Sequence, residues 1–425
     1  MPKNVLIAQS GGPSPVINAS LAGVLDACFS YESFGNIYAA WHGIEGVLLE
    51  ELIDMRKQEP GELRLLRKTP ATGAIGSCRY KLGPGQDADF DRILDVFRAH
   101  EIGFFFCIGG NDSMDTAAKV SALAQSQGYD LTVTGVPKTI DNDVGDEEFR
   151  LIDHTPGYGS TARYWSYVIQ NINEENRGMS VSECVCVLQA MGRTTGFITA
   201  AARLGDPNRE MPLLMFFAET GFGLNELTAR VNEMLRLEKR CIVVVNEGFK
   251  AGALDEARDG FGHVEYGASG TTAAQLVVNH LNRLGFPVRG QATGQSPGVL
   301  QRNVSIHVSK VDQEEAYRVG VKAVEIALHD GTGWMATILR RPGSVYEAYY
   351  DKVPLLHVAN AARQLPRAWI TPEGTDVTDD FIHYARPLIG DGWPDVEIEN
   401  GLQRFARLNI SFTEKKCRVY RPCAM

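Results

Sequence analysis

Short apolar runs, each ending in a glycine-rich or polar loop, recur along the chain. Several are followed by segments with apolar or small residues at helical spacing, such as SMDTAAKVSALAQSQG (113–128), which closes on a glycine. Continuous apolar strands that alternate with helices predict an α/β fold with mainly parallel sheets covered by helices. The runs that predict strands are VLIAQ (5–9), FFFCI (104–108), LTVTGV (131–136), CVCVLQA (184–190), LLMFFA (213–218) and CIVVVN (241–246).

Polar motifs follow these predicted strands, at the sheet edge where α/β proteins bind ligands. SGGPSP (10–15) precedes a helix predicted to begin near Val16, and its glycines let backbone amides approach an anion. IGGNDSMDT (108–116) repeats the arrangement with more polarity, and Ser113 is predicted to cap the next helix. A capping turn would explain Asp112 and Ser113 without any chemistry, and glycine in such turns also has a purely steric use.

The segment PKTIDND (137–143) repeats the design, with two acids and a lysine directly after a predicted strand. GSCRYKL (76–82) adds two cations at alternate positions, on one face if the segment is extended. Each of these groups alone is more typical of a solvated surface, but together they indicate cations and acids gathered at one edge of the sheets. Further members of this set are Arg193 in MGRTTG, Glu247 in NEG and Arg302 in LQR.

Several other classes of site are disfavoured. No GxxxxGK[ST] motif occurs, and GYGSTA (157–162), which resembles a dinucleotide fingerprint, follows no buried strand. No GxSxG motif occurs, and the histidines and cysteines lack zinc-like spacing. A hard cation held by carboxylates and phosphates, Mg²⁺, is the metal that this composition favours.

Composition narrows the class of protein further. The 425 residues suggest two lobes, and 44% hydrophobic with 22% charged residues is ordinary for a globular protein. A formal charge of -10 without a long basic run argues against nucleic acid or anionic membrane as a partner. Cysteines 107, 184, 186 and 241 lie in apolar runs, which predicts buried, reduced thiols in a cytoplasmic protein.

Eight motifs together resemble the phosphofructokinase family, over most of the chain from about Val5 to about Gly333. The resemblance implies two α/β lobes with fructose 6-phosphate and the phosphoryl donor in the cleft between them, a Mg²⁺ cofactor and a homo-oligomer. The motifs, in the family's order, are GGPSPVINA, GSCRYKL, GGNDS, PKTIDND, TPGYGSTA, QAMGR, NEG and LQR.

The resemblance also implies residue roles. Asp141 matches the catalytic base that takes the proton from the sugar 1-hydroxyl. Thr139 and Asp143 match residues that hold the sugar and the metal-bound phosphate. Gly12 and Arg79 match contacts to the donor phosphates. The sugar site is matched by Met191, Gly192, Arg193 and Glu247, with Arg302 as a ligand of the 6-phosphate.

The expected domains follow from this resemblance. Residues 1–150 are predicted to form an N-terminal lobe with the donor site and the catalytic loop, joined by part of 303–360. Residues 151–302 are predicted to form the second lobe, which carries the sugar phosphate site. Residues 340–425 read as a C-terminal extension, mostly irregular, with one capped helix that starts near Thr378.

The donor is predicted from two positions. ATP-using members of the family resemble GGDGS and PGTIDND, whereas this chain has GGNDS and PKTIDND, so Asp112 and Lys138 stand where those members have glycine. This pair resembles the pyrophosphate-dependent branch. A carboxylate in place of glycine would fill the space of a nucleotide's α-phosphate and repel it. Lys138 would offset charge on the transferring group, together with Arg79 and magnesium.

The chain departs from the family pattern at several positions. Asn111 stands where many members have a metal-side aspartate; it offers an oxygen to the metal but no charge. Gln189 replaces a common glutamate. Cys184 and Val299 stand where allosteric bacterial members have an arginine and a histidine near the 6-phosphate. Candidates to replace those 6-phosphate ligands are Lys310, Arg340 and Arg341.

The leading prediction is therefore reversible phosphoryl transfer from pyrophosphate to fructose 6-phosphate, giving fructose 1,6-bisphosphate and phosphate. One alternative is an ATP-dependent 6-phosphofructokinase or a kinase for a related phosphosugar, against which Asp112 and Lys138 argue. Another is a catalytically silent subunit that senses metabolites, which Asn111 and Gln189 favour slightly. The presence of Asp141 and Asp143 argues against a silent subunit.

Overall fold

The computed structural model describes residues 2–83, 85–250, 262, 264, 266, 270–359 and 362–423. Its strands are β1 Lys3–Gln9, β2 Phe34–Ala40, β3 Leu52–Asp54, β4 Ile102–Gly109, β5 Thr132–Pro137, β6 Val185–Ala190, β7 Leu213–Phe216, β8 Cys241–Asn246, β9 Ala292–Gln295, β10 Trp334–Arg340, β11 Ala348–Pro354, β12 Ile398–Glu399 and β13 Leu402–Gln403. Its α-helices are α1 Ile17–Ser30, α2 Gly43–Leu48, α3 Pro60–Leu65, α4 Asp87–Ala99, α5 Asn111–Ser126, α6 Tyr158–Met179, α7 Phe197–Ala201, α8 Leu224–Glu238, α9 Ala273–Leu284, α10 Lys310–His329, α11 Leu355–Val358 and α12 Asp379–Ile389.

Two larger sheets organise the described residues. The first has seven strands in the order β11-β10-β5-β4-β1-β2-β3, and the second has four in the order β7-β8-β6-β9. All pairs are parallel in the second sheet, and in the first only the two edge pairs, β2 with β3 and β10 with β11, are antiparallel. The prediction of an α/β fold with mainly parallel sheets is therefore confirmed.

Both sheets are covered on both faces, as their continuous apolar strands predict. In β1, Leu6 and Ala8 point into one hydrophobic core, whereas Val5 and Ile7 point into another. In β6, alternate residues enter two further cores in the same way. Because side chains alternate across a strand, a strand that is apolar at every position must be buried on both sides. The four cysteines predicted to be buried are buried free thiols.

The structure differs from three local predictions, one of them only in part. Helix α5 begins at Asn111 and has Gly110 as its N-cap, so Ser113 lies inside the helix and does not cap it. The helix predicted to start near Thr378 is confirmed as α12 with Thr378 in the N-cap position, but the Thr378 hydroxyl donates to the carbonyl of Ala368 and makes no cap bond. The segment after Arg340 is less irregular than expected, because it supplies the antiparallel edge strand β11. Most side chains of β11 are only partly buried, so its sequence lacks the continuous apolar run of the central strands.

The larger sheet takes strands from both ends of the chain, since β10 pairs with β5. The smaller sheet takes its strands from between residues 185 and 295. The lobe boundaries at 150 and 302 and the extension at 340–425 remain predictions. No helix in the described part of the chain is both long enough and apolar enough to cross a membrane.

Candidate active site

A cavity of about 370 Å³ lies where the carboxyl ends of both sheets meet. The segments that follow β1, β4 and β5 line one side, and those that follow β6, β8 and β9 line the other. This is the position that parallel α/β sheets offer to ligands. Of the predicted site residues, the following line the cavity: Gly12, Arg79, Asn111, Asp112, Lys138, Thr139, Asp141, Asp143, Met191, Arg193, Glu247 and Arg302.

The loop after β5 presents two acids to this cavity. Asp141 and Asp143 are largely buried, at 7% and 8% exposure. The Asp141 amide donates to Thr139 Oγ1 at 3.1 Å, and Arg193 Nε lies 3.6 Å from Asp141 Oδ2. Burial, and then the charge of Asp141, raises the pKa of Asp143 above its ordinary value. The loop therefore concentrates negative charge that a bound cation would relieve.

Asn142, between these acids, is held in the left-handed region at φ 58°. Arg363 fixes it there: its Nε and Nη2 donate to the Asn142 carbonyl at 3.1 and 3.0 Å, and its Nη1 donates to the carbonyl of Ile152 at 2.8 Å. The Asn142 side chain also donates to Tyr384 Oη at 2.8 Å. A left-handed asparagine strains the chain unless its surroundings hold it, so these bonds preset the direction of both carboxylates.

Lys138 lies beneath the glycine loop that follows β1. Its Nζ donates to the Gly12 carbonyl at 2.7 Å, and the side chain is buried. Burial, followed by the charges of Arg193 and Arg302, lowers the pKa of Lys138 to about 7. The lysine is therefore poised to gain a proton when an anion enters, because a nearby negative charge favours the ammonium form.

Position 12 requires glycine, because there is no room for a side chain. A Cβ there would lie 2.7 Å from Arg302 Nη1 and 3.7 Å from Arg79 Nη2. The glycine thus lets two guanidinium groups approach the same backbone turn. With Lys138, three cations converge on one stretch of chain, which is an arrangement suited to a polyvalent anion.

Asp112 faces Lys81, a cation that the sequence analysis placed at the sheet edge but to which it gave no separate role. Lys81 Nζ lies 3.2 Å from Asp112 Oδ1. The alternation of Arg79 and Lys81 in GSCRYKL was the available signal, since both point to the same side of an extended segment. Asp112 therefore enters the cavity as part of an ion pair.

The sugar side of the cavity is organised by Glu247. Its Oε1 accepts from the amides of Gly192 at 3.1 Å and Arg193 at 2.7 Å, so Gly192 supports the site although it does not line the cavity. Burial raises the pKa of Glu247 to about 7, against the lowering effect of these amides. Gln301, which the sequence prediction also missed, accepts from the Met191 amide at 3.0 Å.

The three candidates for extra 6-phosphate ligands do not line the cavity. Arg340 binds Asp153 at 2.9 Å, and Arg341 binds Glu347 at 2.9 Å. Lys310 is the first residue of α10. Val299 does line the cavity, whereas Cys184 is fully buried away from it. Arg302 is the predicted 6-phosphate ligand that the fold brings to the cavity.

Asn111 is suited to be one ligand of a divalent cation. Its Nδ2 lies 3.4 Å from Asp143 Oδ2, and its Oδ1 is buried without a hydrogen-bond partner. An unsatisfied buried carbonyl beside a carboxylate fits a hard cation. The described residues contain no cluster of three histidine, cysteine or acidic side chains that could cage a metal by themselves. Magnesium is commonly held by one or two protein oxygens together with substrate phosphates, so the residues present fit that ion.

Comparison with known proteins agrees with this architecture. The phosphofructokinase family model matches residues 4–327. The chain is 38% identical to the pyrophosphate–fructose 6-phosphate 1-phosphotransferase of Methylococcus capsulatus, over 92% of this chain and 93% of that protein. It is also 38% identical to the enzyme of the same name from Halomonas elongata, over 97% of this chain and 98% of that protein.

A solved structure is similar over the whole length. The pyrophosphate-dependent phosphofructokinase from Nitrosospira multiformis superposes with a TM-score of 0.87 at 35% identity, covering 99% of this chain and 100% of that chain. The similarity therefore includes the segment after residue 327, which lies outside the family model. On its matched motifs, its two sheets and these relatives, the chain belongs to the phosphofructokinase family.

Proposed function

We propose that the chain catalyses reversible phosphoryl transfer from pyrophosphate to the 1-hydroxyl of fructose 6-phosphate, which yields fructose 1,6-bisphosphate and phosphate. The observation that carries the proposal is that Asp112 and Lys138 line the same cavity as Asp141. The names of the full-length relatives from Methylococcus and Halomonas support the same reaction.

The proposed chemistry uses Asp141 as the base. The carboxylate takes the proton of the sugar 1-hydroxyl, the freed oxygen attacks the near phosphorus of pyrophosphate, and the bridging P–O bond breaks to release inorganic phosphate. Arg193 Nε, 3.6 Å from Asp141 Oδ2, helps to orient the carboxylate. The preset loop conformation at Asn142 supports this role, because it fixes the base before substrate arrives.

The cations of the cavity would balance the charge that moves during transfer. Lys138 and Arg79 meet at the Gly12 turn, where they can hold the donor's phosphoryl oxygens without reorganising. Mg²⁺, held by Asn111, Asp143 and substrate oxygens, would supply further charge neutralisation. In the reverse direction the same cations would bind inorganic phosphate and the 1-phosphate.

Donor choice is supported by the Lys81–Asp112 pair. A carboxylate that is fixed in the cavity would repel a nucleotide's α-phosphate, whereas pyrophosphate has no group there. One lysine cannot balance both Asp112 and an α-phosphate, and leaving one of these charges without a counter-charge would cost several kcal/mol, on the order of a thousandfold in affinity. The pair therefore disfavours the ATP-dependent alternative. The buried acids Asp141 and Asp143 disfavour a catalytically silent subunit, because burying carboxylates costs free energy.

A donor assay tests the proposal directly. Purified protein with fructose 6-phosphate and magnesium should form fructose 1,6-bisphosphate rapidly with pyrophosphate and slowly or not at all with ATP, measured through coupled detection of that product. The reverse reaction, from fructose 1,6-bisphosphate and inorganic phosphate, should also be measurable. A preference of the wild-type protein for ATP would overturn the donor assignment, and inactivity with both donors would favour the silent subunit.

Arg302→Ala should mainly weaken binding of fructose 6-phosphate. Losing one charge-assisted contact should cost about 1.5 to 3 kcal/mol, which corresponds to a rise of roughly ten- to a hundredfold in its KM. Steady-state kinetics with saturating pyrophosphate would measure this. Arg318→Ala is the matched control, because this exposed arginine on α10 pairs with Glu314 and does not line the cavity. An unchanged KM for the sugar phosphate in Arg302→Ala would remove Arg302 from the site.

A further inference from the structure

The C-terminal segment 412–423 packs along the edge of the larger sheet and reaches the start of α4. Phe412 bridges to Ile53 in β3, and the Thr413 amide donates to the Leu52 carbonyl at 2.8 Å. Beyond this point the segment makes its polar contacts with two fully buried carboxylates, Glu50 and Asp89. Two buried acids that bind the same terminal segment indicate a built docking site, since a buried carboxylate needs specific donors.

Glu50 anchors the first part of this segment. It accepts from the amides of Lys416 and Cys417 and from His100, which lies 2.7 Å away. Burial acts to raise the pKa of Glu50, but the Lys416 amide, His100 and the Cys417 amide outweigh it and hold the pKa below its ordinary value. The carboxylate therefore stays charged, and its charge is satisfied partly by backbone groups of the segment.

Asp89 anchors the second part of the terminal segment, and it also binds Tyr80, which is adjacent in the chain to cavity-lining Arg79. Its Oδ1 accepts from Tyr420 Oη at 2.7 Å and from the Cys423 amide at 3.1 Å. Its Oδ2 accepts from Tyr80 Oη at 2.5 Å. Tyr80 stands between Arg79, which lines the cavity, and Lys81, which pairs with Asp112. One carboxylate thus connects the end of the chain to the residue that separates two cations of the donor site.

We propose that Tyr420 and Cys423, acting through Asp89 and Tyr80, are positioning groups for the segment that binds pyrophosphate. The proposal rests on the proposed function for the identity of the ligand. Arg79 and Lys81 are covalently adjacent to Tyr80, so a shift of the Tyr80 ring also moves the backbone of both residues. With the terminal segment docked, both oxygens of Asp89 are engaged and its orientation is fixed, which holds the Tyr80 hydroxyl and the segment around it.

Removing the contacts from the terminal segment has a local consequence. Asp89 would keep Tyr80 but would lose Tyr420 and the Cys423 amide, so a buried charge would be free to turn toward water. The segment 77–83 would then sample positions in which Arg79 no longer meets the phosphates and Lys81 no longer pairs with Asp112. The apparent affinity for the donor falls in proportion to the fraction of molecules in which this segment is in the binding-competent position. The sugar site and Asp141 lie on other loops and are not displaced.

Tyr420→Phe tests this with the loss of a single oxygen atom. We expect the KM for pyrophosphate, and for inorganic phosphate in the reverse direction, to rise about three- to tenfold, the range for one lost hydrogen bond. The KM for fructose 6-phosphate should stay within about twofold. Val419→Ala is the matched control, because this neighbouring side chain is fully exposed, and it should change neither constant.

A chain that ends at Arg418 should show a larger rise in the KM for pyrophosphate than Tyr420→Phe, again without a matching change for the sugar. Equal losses for both substrates, or a fall in kcat alone, would mean a merely structural role and would overturn the proposal. Unchanged donor constants in both variants would overturn it as well. Hydrogen exchange of the amides of 77–83, read without substrates, should speed up in both variants but not in Val419→Ala. That readout separates the proposal from the proposed function, which fails only if the wild-type protein does not use pyrophosphate.

Discussion

Asp141→Asn is expected to abolish turnover while fructose 6-phosphate still binds. The carboxamide keeps the shape of the side chain and can still face Arg193, but it cannot accept the proton of the sugar hydroxyl. General-base catalysis contributes roughly a hundredfold or more, so kcat should fall by at least about that factor in both directions. Single-turnover kinetics and calorimetric titration with fructose 6-phosphate would separate the chemical step from binding.

The matched control is Asp130→Asn, which makes the same chemical change at an exposed acid that pairs with Lys3. It should leave both kcat and KM unchanged. A near-normal kcat in Asp141→Asn would remove this residue from the mechanism. If binding of fructose 6-phosphate were lost together with turnover, Asp141 would hold the sugar and the proton acceptor would have to be sought among the other buried acids of the cavity.

The parts of the site that could be predicted are those that follow a buried strand. Asp141, Glu247 and Asp112 each come within a few residues of a continuous apolar run, and the edge of a parallel sheet brings such positions together however far apart they are in sequence. The strand pattern therefore located the cavity as well as the fold. The bounds of the predicted strands were also close, because burial on both faces makes these strands largely continuous apolar runs.

The supporting residues could not be predicted in this way. Arg363 lies in a segment without periodicity, yet it contributes three hydrogen bonds to the backbone around Asn142 from 221 positions away. Nothing near Arg363 in the sequence marks it as different from a surface arginine. The contact of Tyr420 was equally hidden from the local sequence, because its partner Asp89 lies 331 positions earlier. Such long-range contacts depend on how the chain returns to the sheet, and local propensity carries no information about that.

The local errors have a related origin. Ser113 is a good N-cap residue, but the helix that carries it begins two residues earlier, because Gly110 already adopts the extended conformation that an N-cap needs. Capping preferences indicate which residue types suit the N-cap, but the tertiary fold determines which residue occupies the N-cap position. The sequence analysis identified the motifs that carry Lys81 and Asp112. It did not predict that these two side chains form an ion pair.

Lys138→Gly is expected to reduce the pyrophosphate-driven rate by on the order of a hundredfold or more, because it removes preorganised charge beside the transferring group. In the wild type, burial lowers the pKa of Lys138 to about 7, so the empty site holds a mixture of amine and ammonium near neutrality. An arriving anion shifts this balance toward the ammonium, and pyrophosphate binding near pH 7 should therefore take up a proton. Titrations in buffers of different ionisation enthalpy would measure that uptake in the wild type and its loss in the variant.

Lys239→Gly provides the control for this change. Lys239 is exposed at the end of α8 with φ 64°, a conformation that glycine favours, so the variant should fold and keep its full rate.

Asp112→Gly is the second variant of this experiment. It should weaken the use of pyrophosphate less than Lys138→Gly does, and it should admit measurable ATP-dependent activity, because the carboxylate that repels the α-phosphate is gone while Lys81 becomes available to it. The two variants thus separate exclusion of the nucleotide from stabilisation of the transfer. If Asp112→Gly showed no activity with ATP, exclusion would have to reside elsewhere in the cavity; if Lys138→Gly kept the wild-type rate with pyrophosphate, the charge at the transferring group would have to come from Arg79 and the metal alone.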